Sequence, residues 1–93
     1  MSYSLEFLES ALKEWKKLNS TVHDQFKKKL KERLENPRVQ ASQLRGSKDR
    51  YKIKLRGVGY RLVYEVNDGA LIVTVIAVGR RDRSTVYKDA DRR

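Results

Sequence analysis

The chain changes its hydrophobic period as it runs. Near the start, Tyr3, Leu5 and Phe7 alternate with Ser4 and Glu6, a period of two that predicts a short strand with one buried face. From about Glu9 the spacing lengthens: Leu8, Ala11, Leu12, Trp15 and Leu18 recur at helical intervals, with Lys13, Glu14, Lys16 and Lys17 on the opposite side. Leu8 cannot cap this helix and Ser10 sits late, so its start is blurred. Asn19 and Ser20 break the pattern and offer the next cap. Val22, Phe26, Leu30 and Leu34 then repeat every fourth residue until Asn36-Pro37, where proline ends a second helix. Two helices joined by so few polar residues predict an antiparallel hairpin whose apolar stripes need another surface to bury against.

Residues 38–49 form a polar loop in which Leu44 is the one obvious anchor. Period-two alternation then returns. Tyr51, Ile53 and Leu55 line one face of a strand; Tyr60, Leu62, Tyr64 and Val66 line one face of the next. Residues 70–78, ALIVTVIAV, are apolar on both faces, which suits a central strand. The links Gly57-Val58-Gly59 and Asn67-Asp68-Gly69 are short and carry glycine, as hairpins require. The sum is an α+β domain spanning residues 1–93, in the order β-α-α-β-β-β. A helical hairpin packs on one face of a mainly antiparallel four-stranded sheet and leaves a basic open face. Beyond Gly79 the sequence turns polar. Ser84 is placed to cap a last short helix in which only Val86, Tyr87 and Ala90 can pack, which predicts a loosely held C-terminus.

Charge changes the picture more than composition does. Lys and Arg number 22 against 12 Asp and Glu, a formal net charge of +10, and the apolar fraction of 39% is enough for a core. The surplus favours a polyanionic partner: nucleic acid, an anionic membrane or an acidic protein. With no cysteine and one histidine, disulfides, thiolate sites and paired-histidine chemistry are excluded. The opening residues carry glutamates and lack both a basic leader and a long apolar run, so neither a signal peptide nor a membrane span is expected, and the default location is the cytoplasm.

Where the cations fall is more telling. With Tyr51, Ile53 and Leu55 inward, Arg50, Lys52, Lys54 and Arg56 point outward together, about 7 Å apart at roughly 3.3 Å per residue. Arg61 shares that outward parity on the next strand, only Glu65 is placed to pair, and Arg80, Arg81 and Arg83 cluster where the sheet ends. The plain alternative is a solvated face whose lysines deter edge pairing. Against it, Lys and Arg neutralise phosphates, and Tyr87 is an aromatic on which an unpaired base can stack. RNA cleavage without a metal needs a deprotonated 2'-oxygen, stabilised charge on phosphorus and a proton for the departing 5'-oxygen. Arginines serve the second need, and lysines crowded by cations exchange protons more readily near neutrality. His23 reads as a surface residue beside Asp24; Trp15, Tyr60 and Tyr64 read as core, and Lys27-Lys28-Lys29 with Lys31 as a solvated helix face.

The segments ALKEWKKL, LRG at 44–46, YKIKL, YRLVYEV and VIAVGRRDRSTVY together resemble the RelE branch of the RelE/ParE toxin superfamily of bacterial type II toxin-antitoxin systems, over about residues 3–90. The resemblance implies a compact ribonuclease-like fold and an endoribonuclease, without cofactor or metal, that cleaves mRNA in the A site of the 70S ribosome. Its functional positions match Arg45, Lys52, Lys54, Arg61, Arg81 and Tyr87. Arg61 and Arg81 would hold the scissile phosphate, Lys52 and Lys54 would supply charge and proton transfer, and Tyr87 would stack or help activate the 2'-oxygen. Lys48, Arg50, Arg56, Arg80 and Arg83, with Arg45, would grip RNA and ribosome. A RelB-like antitoxin would neutralise the toxin, commonly by displacing the C-terminal helix, and operator DNA would be reached only through it. Residues 88–93, KDADRR, depart from the pattern by lacking apolar anchors for that helix. Two other functions fit the same basic face: a ParE-like gyrase inhibitor without nuclease chemistry, and an RNA-binding module that leaves phosphodiesters intact.

Overall fold

A computed structural model describes residues 2–80 and 85–93. The chain runs β1 (Ser4–Phe7), α1 (Glu9–Lys16), α2 (Ser20–Glu35), a 3-10 turn (Gln40–Ser42), β2 (Arg50–Leu55), β3 (Tyr60–Asn67), β4 (Ile72–Arg80) and α3 (Thr85–Arg92). The strands lie in the order β1-β4-β3-β2. β1 is parallel to β4 and the other pairs are antiparallel. Among the described residues, no helix is long and apolar enough to cross a membrane.

The helical hairpin forms where its periodicity places it. The Asn19 side chain accepts a hydrogen bond from the Val22 amide at 3.0 Å and caps α2, whereas Leu8 gives α1 no side-chain cap. Ala11, Val22, Phe26 and Leu30 bury against Ile53, Leu62, Tyr64, Val73 and Val75, with Trp15 wedged beside Phe7 and Phe26 at the rim of that core. Burying a Leu, Phe or Ile side chain is worth about 1.5–3 kcal/mol, so this face supplies most of the stability.

β4 departs from simple alternation. Val63 lies opposite Ala77 but Tyr64 opposite Val75, so Ile76 is an extra residue in a bulge. Val73, Val75 and Val78 join the hairpin core, while the consecutive Ile76 and Ala77 join Val63 in a second apolar cluster. Val86 and Ala90 of α3 cover that cluster, and Leu44, Leu8 and Tyr87 pack at its edge.

This corrects the expectation of a loosely held C-terminus and of a sheet face left entirely open. Two buried apolar residues suffice for α3 because arginines hold it as well. Arg50 donates to the Ala90 carbonyl, and Arg93 donates to the Ile76 carbonyl at 2.8 Å and to Glu14 at 3.0 Å. Glu14 also accepts from the Val78 amide at 3.1 Å, on a stretch of β4 that the four-residue β1 is too short to cover. The expected cap at Ser84 lies outside the described residues.

The β3–β4 turn also differs from expectation. β4 begins at Ile72, and the left-handed residue is Leu71 at φ 56°, not Gly69; the Asn67 side chain accepts from the Ala70 amide at 3.1 Å. The loop before β2 has an anchor that hydrophobicity could not show. Arg38 bridges Asp49 at 2.8 Å and Asp68 at 2.7 Å and donates to the Tyr51 hydroxyl at 3.2 Å. Arg38, helped by a hydrogen bond from Tyr3, holds the exposed Asp68 carboxyl below its usual range.

Candidate active site

The pairing of β2 with β3 sets Lys54 opposite Arg61. Tyr51, Ile53 and Leu55 are buried in the hairpin core, so Lys52 and Lys54 stand on the other face, Lys52 half-buried and Lys54 exposed. The charge of Lys52, then that of Arg61, lowers the Lys54 pKa below the ordinary lysine value. Among the described residues, no carboxylate forms an ion pair with Lys52, Lys54, Arg56 or Arg61.

Across β3 the register sets Arg61 opposite Gly79. Glycine matters here because Val86 packs directly against it; a Cβ at this position would lie 2.8 Å from the Val86 methyl. The close approach seats α3 beside Arg61 and brings the next residue, Tyr87, onto it. Arg61 donates to the Tyr87 hydroxyl at 2.9 Å, with its guanidinium carbon 5.8 Å from the ring centroid. Since the Tyr87 oxygen accepts that bond, its own proton is left to point elsewhere. Lys54, Arg61 and Tyr87 thus converge from β2, β3 and α3, with Lys52 flanking.

The remaining predicted residues divide. Arg81 and Arg83 lie outside the described residues. Arg56 is exposed just past β2, and the exposed Arg80 has its guanidinium carbon 5.9 Å from the Tyr60 ring centroid. Arg45 and Lys48 share an exposed depression with Gln40 and Gln43, separate from the groove that Lys52 and Lys54 line. Arg50 is half-buried, pairs with Glu65 at 3.3 Å and braces α3 through Ala90. His23, expected at the surface, is half-buried against Trp15 with ring centroids 4.5 Å apart, and Tyr64 is fully buried, as a core residue should be.

One residue escaped the sequence reading. Arg33 reaches from α2 to the β2 edge and donates to the Tyr64 hydroxyl at 2.8 Å, the Lys52 carbonyl at 3.3 Å and Ser42 Oγ at 3.3 Å. Its one signal was position: Leu30, Arg33 and Leu34 follow helical spacing, so a cation interrupts the rim of an apolar stripe.

An arginine beside a lysine of lowered pKa and a tyrosine with a free proton can bind phosphate and move protons around it. A mixed four-stranded sheet thus carries a helical hairpin on one face and this cationic, tyrosine-bearing site on the other. The family model for the ParE toxin of the type II toxin-antitoxin system parDE matches residues 5–85. A curated relative, mRNA interferase toxin RelE of Escherichia coli (strain K12), is 60% identical over 93 residues, covering 100% of this chain and 98% of the relative. The solved structure of an arginine double mutant of E. coli toxin RelE in the free state superposes with a TM-score of 0.91 at 58% identity, over 99% of this chain and 97% of that one. The toxin in the crystal structure of the intact E. coli RelBE toxin-antitoxin complex matches with a TM-score of 0.83 at 61% identity, over 85% of this chain and 96% of that one. The chain belongs to the RelE/ParE family of type II toxins, in its RelE branch.

Proposed function

We propose that this chain, acting as one domain in the cytoplasm, is the toxin of a type II toxin-antitoxin pair and an endoribonuclease that cleaves mRNA in the ribosomal A site. The observation that carries the reading is the convergence of Lys54, Arg61 and Tyr87, with the Tyr87 hydroxyl bonded to Arg61. Relatives 60% identical along the whole chain bear the name mRNA interferase, and relatives have been solved with a RelB antitoxin, which supports a RelB-like partner here.

In the proposed reaction the RNA 2'-hydroxyl loses its proton and its oxygen attacks the adjacent phosphorus. The bond to the 5'-oxygen breaks, and that oxygen leaves with a proton, giving a 2',3'-cyclic phosphate and a 5'-hydroxyl. Arg61 neutralises the phosphoryl oxygens as charge builds on them, and Arg81 joins it by family resemblance. Lys54 gives up its proton more readily than an isolated lysine and is the candidate to accept the 2'-proton. Tyr87 retains a proton to donate. Lys52 adds charge beside Lys54; Arg45, Lys48, Arg56 and Arg80 extend the cationic surface toward ribosomal RNA, and Arg83 is a further candidate contact from the sequence.

Primer extension on a defined mRNA, with and without programmed 70S ribosomes, tests this. Cuts confined to the A-site codon and seen only with ribosomes are expected. Intact mRNA from folded protein would overturn the reading. A gyrase supercoiling assay on the same protein would then examine the alternative carried by the ParE name of the family model.

A further inference from the structure

β2 is the edge strand of the sheet, so one row of its backbone groups faces away from β3. Arg33 fills that position at Lys52, and all three of its acceptors are neutral: a backbone carbonyl, a serine hydroxyl and the Tyr64 hydroxyl. Among the described residues, no carboxylate balances it. Tyr64 is itself fixed, buried and donating to the Pro37 carbonyl at 2.6 Å, so the guanidinium is held in one place. A guanidinium has five N–H groups. The recorded bonds use both on Nη1 and one on Nη2, leaving the Nε–H and one on Nη2. Both open donors sit on adjacent nitrogens of one guanidinium and are available to an incoming phosphate.

The space in front of Arg33 is a groove of about 300 Å³ lined also by Ala41, Ser42, Lys52, Lys54 and Arg56. Four cations around one open groove, none neutralised by a described carboxylate, cost stability through mutual repulsion. The expected compensation is an anion. Lys54 belongs both to this groove and to the site with Arg61 and Tyr87, so an RNA strand crossing that site leads into it.

We propose that the groove is a second phosphate subsite, anchored by Arg33, which holds the phosphate next to the scissile one and so sets the register of the RNA strand. The inference rests on the nuclease reading of the Lys54 site and deepens it. Arg33 touches a phosphate that does not react, so it is a positioning residue: its loss weakens binding and leaves the maximal rate nearly unchanged.

The test is the affinity of the antitoxin-free protein for a short RNA made uncleavable by 2'-O-methyl groups, followed by fluorescence anisotropy across a salt series. Arg33→Gln is expected to weaken binding roughly three- to tenfold and to reduce the slope of log K against log salt by about 0.7, the single-strand value for one phosphate contact. Arg33→Gln also removes the brace on Tyr64. Ser42→Asp therefore serves as a second arm: it leaves Arg33 in place, sets a carboxylate within its reach and is expected to shift affinity and slope the same way. Lys28→Gln, on the exposed side of α2, is expected to bind as wild type. If Arg33→Gln and Ser42→Asp bind with wild-type affinity and slope while Lys54→Met weakens binding, the subsite is overturned and the nuclease site stands. If Lys54→Met is also without effect, the site reading falls and the subsite with it.

Discussion

Gly79→Ala puts the docking of α3 to the test. The new Cβ would lie 2.8 Å from a Val86 methyl, whereas carbon atoms rest at about 3.5–4.0 Å, so one side must withdraw by roughly 1 Å. β4 is poorly placed to yield: Gly79 is held in register against Arg61 of β3, and its neighbouring Val78 and Ala77 are buried. α3 is held by two buried apolar residues and by Arg50 and Arg93. Val86 contributes about 1.5–3 kcal/mol through burial, and each hydrogen bond about 1 kcal/mol. Overpacking by one methyl costs typically 1–3 kcal/mol, comparable to the attraction of Val86 alone. The strain is therefore expected to appear as undocking of the helix with the sheet intact. Amide hydrogen exchange in a peptide covering residues 85–93 should accelerate about tenfold or more, at 1.4 kcal/mol per factor of ten, while β3 keeps its protection. mRNA cleavage should fall in parallel, because Tyr87 leaves Arg61. Unchanged exchange in α3 together with lower global stability would show that the sheet absorbs the clash, and would refute the reasoning.

Two further predictions follow from the same geometry. Lys54→Met should abolish most cleavage, by about 10²- to 10⁴-fold, yet raise the thermal midpoint, because it removes a charge that Lys52 and Arg61 repel. The sign with pH is fixed: folding depresses the Lys54 pKa, so the wild type suffers most while the ammonium is charged in both states. Its deficit against Lys54→Met should shrink as pH rises through the folded pKa toward 10.5, which denaturation followed across alkaline pH would show. Glu14→Gln should cost about 1–2 kcal/mol in urea unfolding, since Glu14 pairs with Arg93 and also covers the Val78 amide. Exchange at the end of α3 should quicken with it, and wild-type exchange there would refute the clamp.

Strict periodicity made part of this molecule legible. Tyr51, Ile53 and Leu55 alternate without interruption, so the outward parity of Lys52 and Lys54 could be deduced, and Arg61 followed from Tyr60 and Leu62. Asn19 announced the cap of α2 because its chemistry is local. What escaped was non-local. The bulge at Ile76 appears only in the register of β4 against β3, since ALIVTVIAV is apolar in either parity. α3 was underestimated because its hold depends on Gly79 having no side chain and on arginines donating to the carbonyls of Ala90 and Ile76. Neither is a hydrophobic signal. The meeting of Arg61 with Tyr87 follows from that docking and was hidden for the same reason, although both residues were singled out.

The basic row along β2 is therefore not one feature but a gradient. At its start Arg50 has given its charge to Glu65 and its donors to α3, so it serves the fold. Lys52 is half-buried; its carbonyl is taken by Arg33 and its charge presses on Lys54. Lys54 and Arg56 are exposed without a carboxylate partner among the described residues. The same alternation that aligns the four cations exposes each to a different neighbour, because β3 offers Glu65 at one end of the register and Arg61 at the other. Repulsion left at the Lys54 end is a cost of folding that an RNA phosphate would relieve on binding, which is where a site for a polyanion is expected to hold its unbalanced charge.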